Sequence, residues 1–82
     1  METIYKITFD NYKHETFIEL YHNKENAYNR FNAICEKAKN KKGYYIEDEG
    51  DLITCSFYEF CYDDDETYIT ITDCTLESLF HD

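Results

Sequence analysis

NKENAYNRFNAICEKAKNKKG, residues Asn23 to Gly43, is the stretch that decides the fold. Ala27, Phe31, Ile34 and Ala38 recur at i, i+4, i+7 and i+11, which draws one apolar stripe along a helix. Tyr28 and Cys35 flank that stripe. Asn23 supplies a side-chain oxygen for the free amides of the first turn, so it is the expected N-cap. Glu25 in the first turn, and Lys37 and Lys39 near the end, complement the helix dipole. The helix is predicted to run to about Lys39, with Gly43 as a left-handed stop. A helix with a single apolar stripe buries it against a single surface, and the rest of the chain reads as the sheet that provides it.

On the N-terminal side, Thr3 to Asp10 alternates with a period of two: Tyr5, Ile7 and Phe9 fall on one face, and Lys6, Thr8 and Asp10 on the other. Asn11 to His14 reads as a hairpin connection to a second strand, Glu15 to His22, in which Thr16, Ile18 and Leu20 oppose Glu19 and Tyr21. On the C-terminal side, Tyr44 to Asp48 is a third strand, Glu49-Gly50-Asp51 a turn, and Leu52 to Tyr62 a long fourth strand. That fourth strand is apolar on both faces: Ile53, Cys55, Phe57 and Cys61 on one, and Leu52, Tyr58, Phe60 and Tyr62 on the other. Either a bulge swaps its faces or a second surface covers one of them. Asp63 to Glu66 makes the next turn and Thr67 to Thr72 a fifth strand with Ile69 and Ile71 inward. Thr75 is expected to cap a last helical turn that buries Leu76, Leu79 and Phe80. The expected architecture is a single α+β domain over residues 1–82: a two-layer fold, ββαβββ, with an antiparallel sheet of about five strands, one helix on one face and a short C-terminal turn.

Charge is divided as sharply as structure. Residues 1–42 hold six carboxylates and eight Lys or Arg, for +2; residues 43–82 hold twelve carboxylates and no Lys or Arg, for −12, together the net −10 of the chain. A surface of that sign repels nucleic acid and attracts basic partners. Nine Tyr and six Phe supply a core, so the acidity does not mark a disordered chain. The first ten residues have neither a basic nor an apolar region of the kind a secretory leader needs, and no apolar run reaches membrane-spanning length. A cytoplasmic protein with reduced thiols at Cys35, Cys55, Cys61 and Cys74 is therefore expected.

Catalytic and ligand motifs are weak. Counting from Asp63, the sixth and twelfth positions of a helix–loop–helix calcium loop hold Tyr68 and Cys74 in place of Gly and Glu. His14, His22 and His81 fall in a turn, at a strand end and near the chain end, where solvated side chains are the rule. A domain of this size leaves little room for a pocket. No catalytic residue, metal or cofactor is assigned, and no enzyme activity is expected.

The acidic half carries the functional expectation. Glu47, Asp48, Glu49 and Asp51 surround one turn, and Asp63, Asp64, Asp65 and Glu66 fill another. Glu59, Tyr58 and Tyr62 lie on the strand between them. About ten residues of strand separate the clusters by roughly 30–35 Å at about 3.3 Å per residue. Carboxylates over that length present a negative track to a basic groove, and Tyr among them provides aromatic anchors of the sort that carry interface energy. Arg30, Lys37, Lys41 and Lys42 gather at the helix end.

The short length, the turns Glu47–Asp51 and Asp63–Glu66 and the aromatic strand SFYEFCY (Ser56–Tyr62) together resemble the small acidic anti-CRISPR and other DNA-mimic inhibitors of phages and mobile elements. The resemblance implies stoichiometric inhibition: such proteins occupy the Lys/Arg groove of a nuclease or DNA-binding complex, in the host cytoplasm when phage-encoded. It transfers no individual residue. The alternative expectation is a self-associating module, a homodimer joined through the two-faced strand Leu52–Tyr62, in which acidity serves solubility alone.

Overall fold

The computed structural model describes residues 2–11, 16–63 and 66–81, with the backbone alone at residues 60–63, 66–69 and 81. The elements are β1 (Glu2–Asn11), β2 (Phe17–Tyr21), α1 (Lys24–Ala38), β3 (Tyr45–Asp48), β4 (Leu52–Asp63) and β5 (Glu66–His81). They form one antiparallel sheet in the order β2-β1-β5-β4-β3, with α1 on one face. The expected α+β class and the element order ββαβββ are what the chain adopts. Among the described residues no helix is long and apolar enough to cross a membrane.

The helix forms as its sequence dictates. The Asn23 side chain accepts a hydrogen bond from the Asn26 amide at 3.1 Å, and Glu25 occupies the first turn. Ala27, Phe31, Ile34, Cys35 and Ala38 are buried. They close over Ile7 of β1, Cys74 and Leu76 of β5, and Cys55 and Phe57 of β4. Ile7, Cys55, Cys74 and Leu76 are almost fully inaccessible, so the centre of the sheet is the core. Tyr5 and Tyr28 meet edge to face at a centroid distance of 6.4 Å and close one end of it.

Three expectations are corrected. First, no helical turn follows Thr75. β5 continues to His81 and pairs with β1 from Glu2↔His81 to Asn11↔Thr72. A strand flanked by β1 and β4 satisfies its backbone on both sides, which outweighs the capping tendency of a threonine. Leu76 is buried as expected, but Leu79 and Phe80 are exposed. Second, Thr70 and Thr72 share the helix-side face with Cys74 and Leu76, and Ile71 is 46% exposed on the opposite face; the side chain of Ile69 lies outside the described residues. Third, Gly43 does not end the helix. α1 stops at Ala38 with Lys39 still right-handed, and Gly43 lies in the loop beyond.

Of the two readings of strand four, the face-swapping bulge is excluded, and among the described residues no element packs over the face away from the helix. The β4–β5 register is unbroken from Leu52↔Glu77 to Asp63↔Glu66, which leaves no place for a face-swapping bulge. Tyr58 therefore stays on the face away from the helix, where its ring crosses Gly43. Gly43 has φ +72° and its missing Cβ would lie 2.8 Å from Tyr58 Cε2. The Tyr58 amide meanwhile bonds the Lys42 carbonyl at 2.8 Å. A glycine is needed there twice over, for its dihedral and for the ring.

Gly50, at φ +83° in the β3–β4 turn, has open space where a Cβ would go. Gly43→Ala should consequently destabilise the fold by about 2 kcal/mol or more and Gly50→Ala by about 1 kcal/mol. Urea unfolding of both variants, and of Gly43→Ala/Tyr58→Ala, checks this: the double variant is expected to cost less than the sum of its parts, because the clash is then gone.

Candidate protein-binding surface

Of the expected site residues, Glu47, Asp48, Glu49 and Asp51 come together, all exposed at the β3–β4 turn. The turn is held from both sides. Asp48 Oδ1 accepts from the Gly50 amide at 2.9 Å, the Glu49 amide bonds the Leu52 carbonyl at 2.8 Å, and the Ser78 amide bonds the Asp51 carbonyl at 2.9 Å. Four carboxylates thus sit on a fixed backbone at the β3 edge of the sheet. Asp63 and Glu66 are directly paired at the far end of the β4–β5 hairpin. Asp64 and Asp65 lie outside the described residues, and of Tyr62, Asp63 and Glu66 only the backbone is described. The molecule measures 50 × 23 × 18 Å.

Glu59 is not part of that acidic track. It points to the helix side, pairs with Lys41 Nζ at 3.2 Å and accepts from the Thr72 hydroxyl at 3.0 Å. It helps line a groove of about 420 Å³ between the helix end and the sheet, more than the little room expected of so small a domain. Phe9, Phe17 and Phe57 give the groove an apolar floor; Arg30, Lys37 and Lys41 rim it. Lys41 lies 5.4 Å from the Phe57 ring centre and Arg30 5.9 Å from that of Phe9. Asn11 Nδ2 donates to the hydroxyls of Thr70 and Thr72 at 3.2 and 3.3 Å, so the layer turns polar where the helix no longer covers it. The basic cluster at the helix end is in large part internally answered: Arg30 holds Glu19 through two hydrogen bonds of 3.1 and 3.2 Å, and Lys39 pairs with Glu36 at 2.8 Å.

Sequence reasoning missed the open face of the sheet as a unit. The register places Glu2, Ile4, Lys6, Thr8 and Asp10 of β1 on it, with Ile71, Asp73, Thr75, Glu77 and Leu79 of β5. Leu52, Thr54, Ser56 and Tyr58 of β4, and Tyr45 and Glu47 of β3, extend it. Asp10 and Asp73 are directly opposite each other, and Asp73 also accepts from Ser56 Oγ. Lys6 pairs with Glu77 at 3.6 Å, and among the described residues it is the sole cation on this face. Tyr45 and Tyr58 stand 60% and 44% exposed among these carboxylates. The period-two pattern Asp73, Thr75, Glu77 was the available signal, and it becomes visible once β5 is read through to His81.

Among the described residues the largest shifts fall on buried thiols. Burial pushes the Cys55 and Cys74 thiols up to about 12, and Cys35 upward too, through the same loss of hydration. Cys55 and Cys74 are direct cross-strand partners beneath Cys35, all three free thiols. Among the described residues no group of His, Cys, Asp and Glu is arranged to hold a metal. The Arg30 guanidinium, assisted by the Tyr21 hydroxyl, holds the Glu19 carboxyl below the usual carboxylate range, and Glu19 raises both partners in turn. Comparison of the chain with protein-family models, with curated proteins and with solved structures found no match.

Two outcomes follow from these shifts. In a Cys61→Ser background, no thiol should react with a chromogenic disulfide reagent in the native protein, and three should react in denaturant. Because Glu19 is depressed, its ion pair stabilises the fold above the unfolded carboxylate pKa of about 4.3 and loses that contribution as pH falls toward the lowered value. Both side chains are about a third or more exposed, so Glu19→Gln should cost a few tenths of a kcal/mol at pH 7. Relative to the parent, the variant should lose less stability on acidification, as urea titrations at neutral and acid pH would show.

Proposed function

We propose that this chain is a non-catalytic binding module that docks on a basic protein surface, in the manner of the DNA-mimic inhibitors it resembles. The partner it suits best is the nucleic-acid-binding groove of a nuclease or DNA-binding complex. The carrying observation is the one-sided distribution of charge over a rigid sheet. The β3 edge presents Glu47, Asp48, Glu49 and Asp51, and the adjoining open face adds Glu2, Asp10 and Asp73 with one described cation tied up by Glu77. The remaining described cations, Lys24, Arg30, Lys37, Lys39, Lys41 and Lys42, sit on the helix and the loop after it. Tyr45, Tyr58 and Ile71 interrupt the carboxylates with exposed apolar area, which suits an interface whose centre must exclude water.

Such a surface is drawn to Lys/Arg-lined grooves by the same long-range attraction that draws nucleic acid to them, and association should be fast and sensitive to salt. The imitation of a duplex is partial, since the carboxylates are sparser than phosphates at one per about 1.7 Å of axis. Face-to-face self-association through Leu52–Tyr62 is less well supported, because it would set Asp10, Asp73 and Glu47 against their own copies.

The test is capture of the partner from lysate at low salt, elution by a salt step, and competition with duplex DNA. With the partner in hand, Glu47→Lys/Glu49→Lys/Asp51→Lys should weaken binding at least tenfold at low ionic strength and leave a shallower salt dependence, with an unchanged circular dichroism spectrum. Reversal of Asp63, Asp64 and Asp65 to Lys should act in the same direction. Unchanged affinity in both triple variants would remove the proposal.

A further inference from the structure

We propose that β2 is a pairing edge for a second copy of this chain, so that two five-stranded sheets join antiparallel, β2 against β2, into one continuous sheet. β2 and β3 are the two outer strands, and proteins guard such edges with charge, brevity or distortion because a bare edge templates further pairing. β3 is guarded. It has four residues, Glu47 and Asp48 are exposed on it, and glycines with positive φ stand at both of its ends. β2 is not guarded. Its five residues, FIELY, include no Lys and no Pro, and Phe17, Ile18 and Leu20 are 61%, 57% and 64% exposed. Its one charge, Glu19, is already bound twice by Arg30.

The strand is also self-complementary in one register. A continuous antiparallel sheet built by a two-fold axis normal to its plane keeps each residue on its own face, so only like-faced residues can be opposed. With the axis at Glu19, Ile18 opposes the partner's Leu20 on the open face, and Phe17 opposes the partner's Tyr21 on the helix face. Apolar meets apolar and aromatic meets aromatic, the pairings that stabilise cross-strand neighbours. The two Glu19 carboxylates meet at the axis, each with its own Arg30, so the four charges cancel. Sliding the register by two residues sets Glu19 against the partner's Phe17 or Tyr21 and shortens the ladder.

Charge selects the same arrangement. β1, β2 and α1 belong to the half of the chain with net +2, and β3 and β4 to the half with −12. Joining β2 edges places the two acidic β3 edges nine strand spacings apart, about 43 Å at about 4.8 Å each, several Debye lengths at physiological salt. Joining β3 edges would bring Glu47 and Asp48 together. The dimer would carry an acidic edge at each end and leave both open faces on one side.

Light scattering over a dilution series should show a mass that climbs from 9.9 kDa toward twice that value. Ile18→Lys and Leu20→Lys should each weaken dimerisation at least tenfold and leave the circular dichroism spectrum unchanged, whereas Glu47→Lys should not reduce it. Register is read separately. In the Cys61→Ser background, a mixture of Ile18→Cys and Leu20→Cys chains should cross-link in a glutathione buffer. Neither chain should do so alone, because the like positions are about 8 Å apart, beyond disulfide reach. A monomer throughout the series, or a dimer that survives both lysine variants and cross-links in no mixture, would overturn the proposal.

Discussion

The structure depends on one contact: the apolar stripe of a single helix against the middle of a five-stranded sheet. Ala27, Phe31, Ile34, Cys35 and Ala38 cover Ile7, Leu76, Cys74 and Cys55, and the sheet's nearly inaccessible side chains lie there. A helix is about 10 Å across, whereas five strands at about 4.8 Å spacing span about 19 Å. One helix therefore cannot cover the sheet. β3 and the whole opposite face extend past the core, while β2 keeps Tyr21 against it and leaves Phe17, Ile18 and Leu20 exposed. The surfaces that remain bare, and the chemistry the sequence placed on each, are what the molecule has to work with.

The position of β5 organises that chemistry. Last in the sequence, it inserts between β1 and β4 and so joins the mildly basic half of the chain to the strongly acidic one. The insertion lets Lys6 reach Glu77, and packing of the helix end lets Lys41 reach Glu59. These pairs are partly solvated and add little to stability. Their larger consequence is where charge is left over. Basic groups are absorbed along the helix side, and unbalanced carboxylates gather at the β3 edge and across the open face. Two bare regions follow with different character: an acidic, tyrosine-studded expanse and a nearly uncharged apolar edge at β2. The first is the surface of the proposed basic partner, and the second that of the proposed pairing with a second copy.

Much of this was legible in the sequence because it is local. The Asn23 cap, the helical stripe and the alternation of Tyr5, Ile7 and Phe9 are read from neighbours a few residues apart, and each appears where expected. The acidic β3–β4 turn was equally plain. The sequence was silent on matters settled by distant pairing. Thr75 reads as a cap until β1 is known to lie beside it; then Thr75 opposes Thr8 in a ten-residue ladder. Ile71 reads as inward by hydropathy, yet Cys74 and Leu76 set the parity of the strand and turn Thr70 and Thr72 inward, where Asn11 meets them. Glu59 looked like one more member of an acidic track; with Cys55 and Phe57 it faces the helix, and Lys41 claims it. Edge strands cannot be identified without strand order, so the exposure of β2 had no sequence signal at all.

Residue-resolved amide hydrogen exchange, at two protein concentrations, tests most directly whether a helix-covered centre holds the fold while its two edges serve different ends. Amides of β1, β5 and β4 beneath the helix should exchange slowest, at rates set by global unfolding. Amides of β2 should slow as concentration rises, and those of β3 should exchange fast at both. Equal and concentration-independent exchange in β2 and β3, or a slowest set lying outside the helix-covered strands, would contradict the account.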